Sequence, residues 1–326
     1  MIELTLPAFE AEVEAFDAAV LGMPGIDAFC SSSAWILPAS SSVMPEREPW
    51  LRRGAHGWAA LMRWVHPSGM AVLQPLEAAW NLACPLVGEE VDGLASEFAR
   101  EARDRAPEWD VIALSGIPED APLERALVRA LGEHFDLRRG DRALRCRIDL
   151  TLGVDAWLAR RSLNFRRSLR RALVEGERVG IAFERFVVTP KTVAEAWRRL
   201  FAVEVESWKG HAECGLGMPE MQRFYQLMLP RLATRGAVRL QFARHEERDI
   251  GYILGGTFGD TYRGLQFSYR HDYHRVSIGN LAQWAELVRS ADEGLSVYDL
   301  GSDMEYKRRW ADTLSPTGAL LVTKRR

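Results

Sequence analysis

Between Ala237 and Gly294 the chain reads AVRLQFARHE (237–246), RDIGYILGGTFGD (248–260), TYRGLQFSYR (261–270), HDYHRVSIGN (271–280) and LAQWAELVRSADEG (281–294). The first three runs are rich in β-branched and aromatic residues. The turns between them, Glu246-Glu247-Arg248 and Gly259-Asp260, are short enough for hairpins, so three antiparallel strands are predicted. Leu281, Trp284, Ala285 and Val288 then recur at helical spacing. A meander that feeds a helix sets that helix's N-terminus beside the last strand. Helix N-termini carry free N–H groups and a positive dipole end, which suit phosphates. The residues placed there are Arg275, Ser277, Ile278, Gly279 and Asn280. Gly279 lets a ligand approach the backbone closely, and Arg275 offers a cation to a phosphate.

The same alternation continues on both sides. Upstream, SLNFRRSLRRALVEGERVG predicts a strongly basic helix ended near Gly176 to Gly180, and IAFERFVV a strand. TPKTVAEAWRRLFAVEVESWKG predicts a long helix started by its Thr-Pro pair. The loop HAECGLGMPE and the helix EMQRFYQLMLPRLATRG lead into the meander. Downstream, SVYDLGS reads as a short strand, DMEYKRRWADTL as a polar turn or helix, and GALLVTK as a last strand.

The first half is patterned alike. Phe9, Val13, Phe16 and Val20 mark an amphipathic helix. CSSSAWILPASSSVMPEREP (30–49) reads as a long loop. AALMRWVHPSGMAVLQPL predicts two strands turned at His66 to Gly69. LASEFAREARDRA reads as a helix, DVIALSGI as a strand, PLERALVRALGEHF as a helix and ALRCRIDL as a strand. Strands alternating with helices imply an α/β layer architecture.

At 326 residues the chain is long enough for two domains or one pseudo-duplicated unit, with the split expected near residues 150 to 155. Its net charge of −3, from 42 basic and 45 acidic side chains, gives no global electrostatic case for DNA, RNA or an anionic membrane. No apolar run approaches the roughly 20 residues that span a bilayer. The N-terminus lacks the basic and apolar regions of a secretory signal. Cys30, Cys84, Cys146 and Cys214 form no CxxC pair, so no zinc site or disulfide framework is expected, and a reducing cytoplasm fits. No His-Asp pattern accompanies Cys214 to make it a nucleophile.

Several stretches together resemble the GNAT acyltransferase superfamily, in its CelD-like branch related to the FemAB aminoacyltransferases. They are ARRSLNFRRSLRRALVEGERVG (159–180), VEVESWKG (203–210), the meander and its glycine turn (250–280), and YDLGSDMEYKRRWAD (298–312), with AFCSSSAW (28–35) and LEAAWNLACPLVG (76–88) in the first half. The resemblance implies an α/β (α+β) fold of tandem GNAT-like units, each a mixed, largely antiparallel sheet flanked by helices. Residues 1–152 would form a degenerate unit and residues 153–326 the competent one.

It further implies acetyl-CoA or another acyl-CoA as donor, with no metal. The pantetheine arm would add to a strand edge at Gln266, Phe267, Ser268 and Tyr269. The pyrophosphate would rest at Arg275 to Asn280. There the chain departs from the family pattern, because Gly279 stands one place late and Ile278 replaces the branch's usual Pro. An amine, from an amino sugar or other small molecule, would attack the thioester directly. Asp299 or Glu305 is the candidate base, Tyr306 the candidate proton donor and Lys307 the stabilising cation. Trp208, Lys209 and His211 are candidates for the acceptor pocket. An aminoacyl-tRNA donor gripped by the basic helix, as in FemAB relatives, and a non-catalytic GNAT-like binding protein are the alternatives.

Overall fold

The computed structural model describes residues 1–207, 209 and 215–325. It divides into two compact units, Met1–Leu144 with Pro316–Arg326, and Arg145–Ser315. The division falls a few residues before the expected 150–155 and returns the last strand to the first unit.

In the first unit, strands β1 (Ile2–Leu4), β2 (Glu48–Arg53), β3 (Trp58–Val65) and β4 (Ala71–Pro75) form an antiparallel run. The short β5 (Leu86–Val87) pairs with β3. β4 joins β6 (Val111–Pro118) in parallel, and the chain's last strand (Thr313–Lys324) lies antiparallel to β6. Helices α1 (Leu6–Glu10), α2 (Val13–Gly22), α5 (Val91–Asp104) and α6 (Pro122–Gly132) bury Phe9, Phe16, Phe98 and Leu127. α6 ends before the segment read as its tail, and strand β7 begins at Phe135 and runs to Asp149.

The Ser-rich segment 30–49 is not the loop expected from its composition. It folds as α3 (Ala28–Ser31) and α4 (Ser33–Val43), with Pro38 inside α4. The buried Asp17 carboxylate accepts both the N–H and the hydroxyl of Ser33, each at 2.7 Å. Ser41 and Ser42 donate to the carbonyls of Leu37 and Pro38 one turn back. Serines that compete with the backbone in an isolated chain are here absorbed by it.

The second unit starts with the end of β7 and α7 (Gly153–Ala159). Helix α8 (Leu163–Val179) is capped by the Ser162 hydroxyl at its start and by Gly180, at φ 82°, at its end. β8 (Ile181–Arg185) follows. α9 (Val193–Val205) begins later than its Thr-Pro signal suggests, because Thr189 and Thr192 bond each other in a turn ahead of it. After α10 (Pro219–Thr234) come β9 (Val238–His245), β10 (Arg248–Phe258) and β11 (Thr261–Tyr269), the predicted antiparallel meander with two-residue turns. Helix α11 (Ile278–Asp292), β12 (Val297–Ser302) and the short α12 (Glu305–Arg308) complete it. The strand order is β7-β12-β11-β10-β9-β8, a mixed sheet in which β11 and β12 are the one parallel pair among the described residues. Buried Trp157, Leu169, Tyr262, Leu287, Tyr298 and Trp310 belong to its core, where they pack α7, α8 and α11 on the sheet.

Candidate active site

The decisive feature is where β11 and β12 part. They pair only through Thr261↔Val297, Tyr262↔Tyr298 and Arg263↔Asp299. Beyond that, β12 follows β7 through Gly301↔Cys146 and Ser302↔Arg145, while β11 stays with β10. Between Gln266 and Gly264 the register of β11 on β10 slips by one residue, which makes Leu265 a bulge. Bulges bend a strand and increase its twist, so this one turns the end of β11 away from β12.

Among the described residues no strand pairs with the opened edge, and only the isolated bridge of Ser207 to Arg270 lies at its end. The Arg270 N–H donates to Ile250 on β10 at 2.8 Å. Strand alternation then turns the backbone of Phe267 and Tyr269 to the open side. The Phe267 carbonyl confirms that direction by accepting the Lys209 ammonium at 2.6 Å.

The N-terminus of α11 faces this edge. Ser277 is its N-cap but makes no capping bond through its side chain. The N–H groups of Ser277, Ile278 and Gly279 have no acceptor among the described residues. A Cβ on Gly279 would lie 3.0 Å from the Phe267 ring, a tight contact that would press on the ring. Phe267, Tyr269, Ser277, Ile278, Gly279, Asn280, Gln283, Tyr306 and Trp310 enclose a cavity of about 190 Å3. A second cleft of about 400 Å3 shares Asn280 and Trp310 with it and is walled by Arg160, Arg161 and Arg309 with residues of α8.

Side-chain alternation separates the other strand residues. Gln266 and Ser268 point to the opposite face, toward α9, where the Gln266 Oε1 accepts from Lys209 Nζ at 3.0 Å. Lys209 Nζ also lies 5.4 Å from the centre of the Phe267 ring that lines the α11 cavity. Trp208 and His211 lie outside the described residues. Arg275 is exposed and does not line the cavity, nor does Glu305, which is exposed in the first turn of α12.

The tail motif converges on the vertex of the split. Tyr306 lines the cavity edge-on to Phe267, with ring centroids 6.1 Å apart. Burial raises its phenol above the ordinary range, which keeps it protonated. Lys307 donates to the Ser302 carbonyl at 3.0 Å. Burial, and then the Arg263 charge, bring its ammonium down to about 8. Asp299 is 2% exposed and enclosed by cations, with Arg145 at 2.7 Å and Arg263 at 3.4 Å. It also accepts the Gly301 N–H at 2.7 Å. With its oxygens occupied on three sides, it holds β7, β11 and β12 together at the vertex.

Sequence reading passed over Gln283, Glu286 and Trp310. Gln283 donates to the Tyr298 hydroxyl at 2.7 Å, and the Tyr298 ring lies 4.3 Å from that of Tyr262. Glu286 is 1% exposed and accepts from Gln241. The signal was present: Gln283, Glu286 and Ser290 interrupt the apolar side of α11 at helical spacing. Burial pushes the Glu286 carboxyl up to about 7, against the opposing pull of the Gln241 bond and of Arg289 and Arg239. A carboxyl raised in the fold binds more protons folded than unfolded between about 4.5 and 7, so stability falls as pH rises through that window. Glu286→Gln is expected to flatten that slope and to be the more stable protein at pH 8, by at most about 3 kcal/mol. Urea denaturation across pH checks it, and an unchanged slope would show that Glu286 is not its source.

Among the described residues, no three His, Cys, Asp or Glu side chains are placed to hold a metal ion, and no helix is long and apolar enough to cross a membrane.

A strand pair splayed beside a helix N-terminus defines a class, and the comparisons agree. Residues 164–308 match the family described as Acetyltransferase (GNAT) domain. This stretch lies within the second unit, and the match is to that part of the chain. No curated protein matches the chain in sequence. Among solved structures, it is similar to a conserved protein of unknown function from Bacteroides thetaiotaomicron VPI-5482, with 11% identity, 99% of each chain covered and a TM-score of 0.69. It is similar to FemX, with 12% identity over 98% of this chain and 97% of that one and a TM-score of 0.67. It is similar as well to L-PGS from Bacillus licheniformis, with 14% identity, coverage of 96% and 91% and a TM-score of 0.58. At these identities the likeness is one of fold.

Proposed function

We propose that the protein transfers an acyl group from a CoA thioester to the amine of a small acceptor such as an amino sugar. The observation that carries this reading is the single cavity bounded by the open edge at Phe267 and the unpaired N–H groups of Ser277 to Gly279. An extended amide-bearing arm can add to the edge as a strand would. The helix start suits its pyrophosphate. Tyr306, from the opposite wall, offers its hydroxyl proton to the leaving sulfur, and Lys307 at the vertex offers positive charge as the thioester breaks. The acceptor would approach from the α9 side, where Lys209 already marks the Phe267 carbonyl. Asp299 serves as a positioning residue at the vertex rather than as the base.

Acetyl-CoA is expected to raise the melting temperature of the protein, and bulk tRNA is not. Gly279→Val should weaken acetyl-CoA binding about tenfold or more by pressing on Phe267 and shielding the N–H groups. Arg275→Ala should change it far less. Isothermal titration separates these outcomes, and wild-type affinity in Gly279→Val would dismiss the donor site.

A further inference from the structure

Many arginines of the second unit are answered by carboxylates. Arg199 is held by Glu184 and Asp249, Arg178 by Glu175, and Arg160 and Arg161 by Asp312. Arg167, Arg170 and Arg171 of α8 differ. All three are exposed, make no ion pair among the described residues, and border an open groove with Asn164, Val174 and Glu175, whose carboxylate is held by Arg178. Positions 163, 167, 170, 171 and 174 fall on one helical face. That face also exposes Leu163 by 61% and Val174 by 58%, so it combines unpaired positive charge with apolar surface.

The same helix reaches the donor site. Asn164, Phe165, Ser168 and Leu169 line the 400 Å3 cleft that shares Asn280 and Trp310 with the cavity, and exposed Arg309 stands on its wall. A chain leaving the cavity past the start of α11 therefore emerges along α8.

We propose that the outer face of α8 docks an acidic carrier protein that delivers the acyl group on a phosphopantetheine arm, with Arg309 facing the arm's phosphate in the cleft. The proposal rests on the thioester reading above and names the form in which the donor arrives. The anionic nucleotide end of free CoA could meet the cations of α8 but gives no reason for the exposed Leu163 and Val174 among them. A nucleic-acid face rests on phosphate contacts and has no use for exposed aliphatic side chains. An acidic protein surface with apolar contacts suits both. In the transfer step, the acceptor nitrogen bonds to the thioester carbonyl carbon as the C–S bond breaks. One amine proton ends on sulfur, and the arm leaves as a free thiol still attached to its carrier.

The test measures binding to the full chain of holo acyl carrier protein, its apo form lacking the arm, acetyl-CoA and bulk tRNA. Holo carrier should bind, apo carrier more weakly, and both should lose affinity steeply with added salt. The triple variant Arg167→Glu, Arg170→Glu, Arg171→Glu should lose about tenfold or more in carrier affinity with acetyl-CoA affinity unchanged. Should the triple variant melt early, Arg170→Gln with Arg171→Gln should show a smaller loss of the same kind. Carrier that fails to bind while acetyl-CoA binds overturns the docking face and leaves the thioester reading standing; failure of both removes the two together. Equal loss for carrier and acetyl-CoA, or reversal-sensitive binding of tRNA alone, also overturns the proposal.

Discussion

Lys307→Met should lower turnover with an acyl-CoA by about a hundredfold or more, while its melting temperature at pH 7 equals or exceeds that of the wild type. The ammonium is held at the vertex of the strand split, and burial brings it down to about 8 from 10.5. That drop corresponds to about 3 kcal/mol for holding a cation in this partly buried place beside Arg263. The sign follows from linkage. Between pH 8 and 10.5 the folded protein binds fewer protons than the unfolded chain, so stability rises with pH there. Below pH 8 the buried charge weighs against the fold, and an apolar side chain of similar length relieves it. A group retained against stability points to function. If the protonated form is the active one, wild-type turnover should fall as pH rises through about 8, and Lys307→Arg, which stays charged, should lose that alkaline limb. Normal turnover in Lys307→Met would remove the side chain from the mechanism.

The parts of the fold that were legible are those decided over short stretches of chain. The meander β9-β10-β11 announced itself through aromatic and β-branched runs and two-residue turns, and α8 through its Gly180 stop. The Ser-rich segment misled because serine weighs toward loops only while its hydroxyl competes for the backbone. Asp17, sixteen residues away from Ser33, settles that competition, and no local pattern reports it. The same reasoning explains Thr189-Pro190, where a side-chain turn between two threonines delays the helix that the proline seems to open. At the site, YDLGSDMEYKRRWAD marked where polar groups cluster but not which way they face. Tyr306 faces the cavity and Glu305 faces solvent, although they are neighbours in sequence. Just beyond α12, Trp310 stacks on Trp157 with ring centres 5.6 Å apart, a contact from α7 that no local pattern reports. Arg145 could not have been read from sequence at all, since its partner Asp299 lies 154 residues further on.

That pair supports the largest expected effect on stability. Asp299→Ala should destabilise the protein by about 3–5 kcal/mol, the cost of breaking a buried ion pair by removing one partner. Arg145 and Arg263 have side chains only 3% and 4% exposed, so neither can recover its lost partner from water. The loss also frees the Gly301 N–H and loosens the vertex from which β11 and β12 diverge. Asp299→Asn keeps the shape and an acceptor for Gly301 but removes the negative charge that faces Arg145 and Arg263, so it should fall between wild type and alanine. The two assignments of Asp299 separate in this pair of variants. A general base turned into an amide abolishes turnover at an unchanged melting temperature. A positioning anion turned into an amide lowers the melting temperature, and turnover per folded molecule falls through a misplaced Phe267 edge, with a raised KM for the donor. Urea unfolding at pH 7 with turnover measured on the same samples distinguishes them, and a fully stable, inactive Asp299→Asn would restore the aspartate to the base's role.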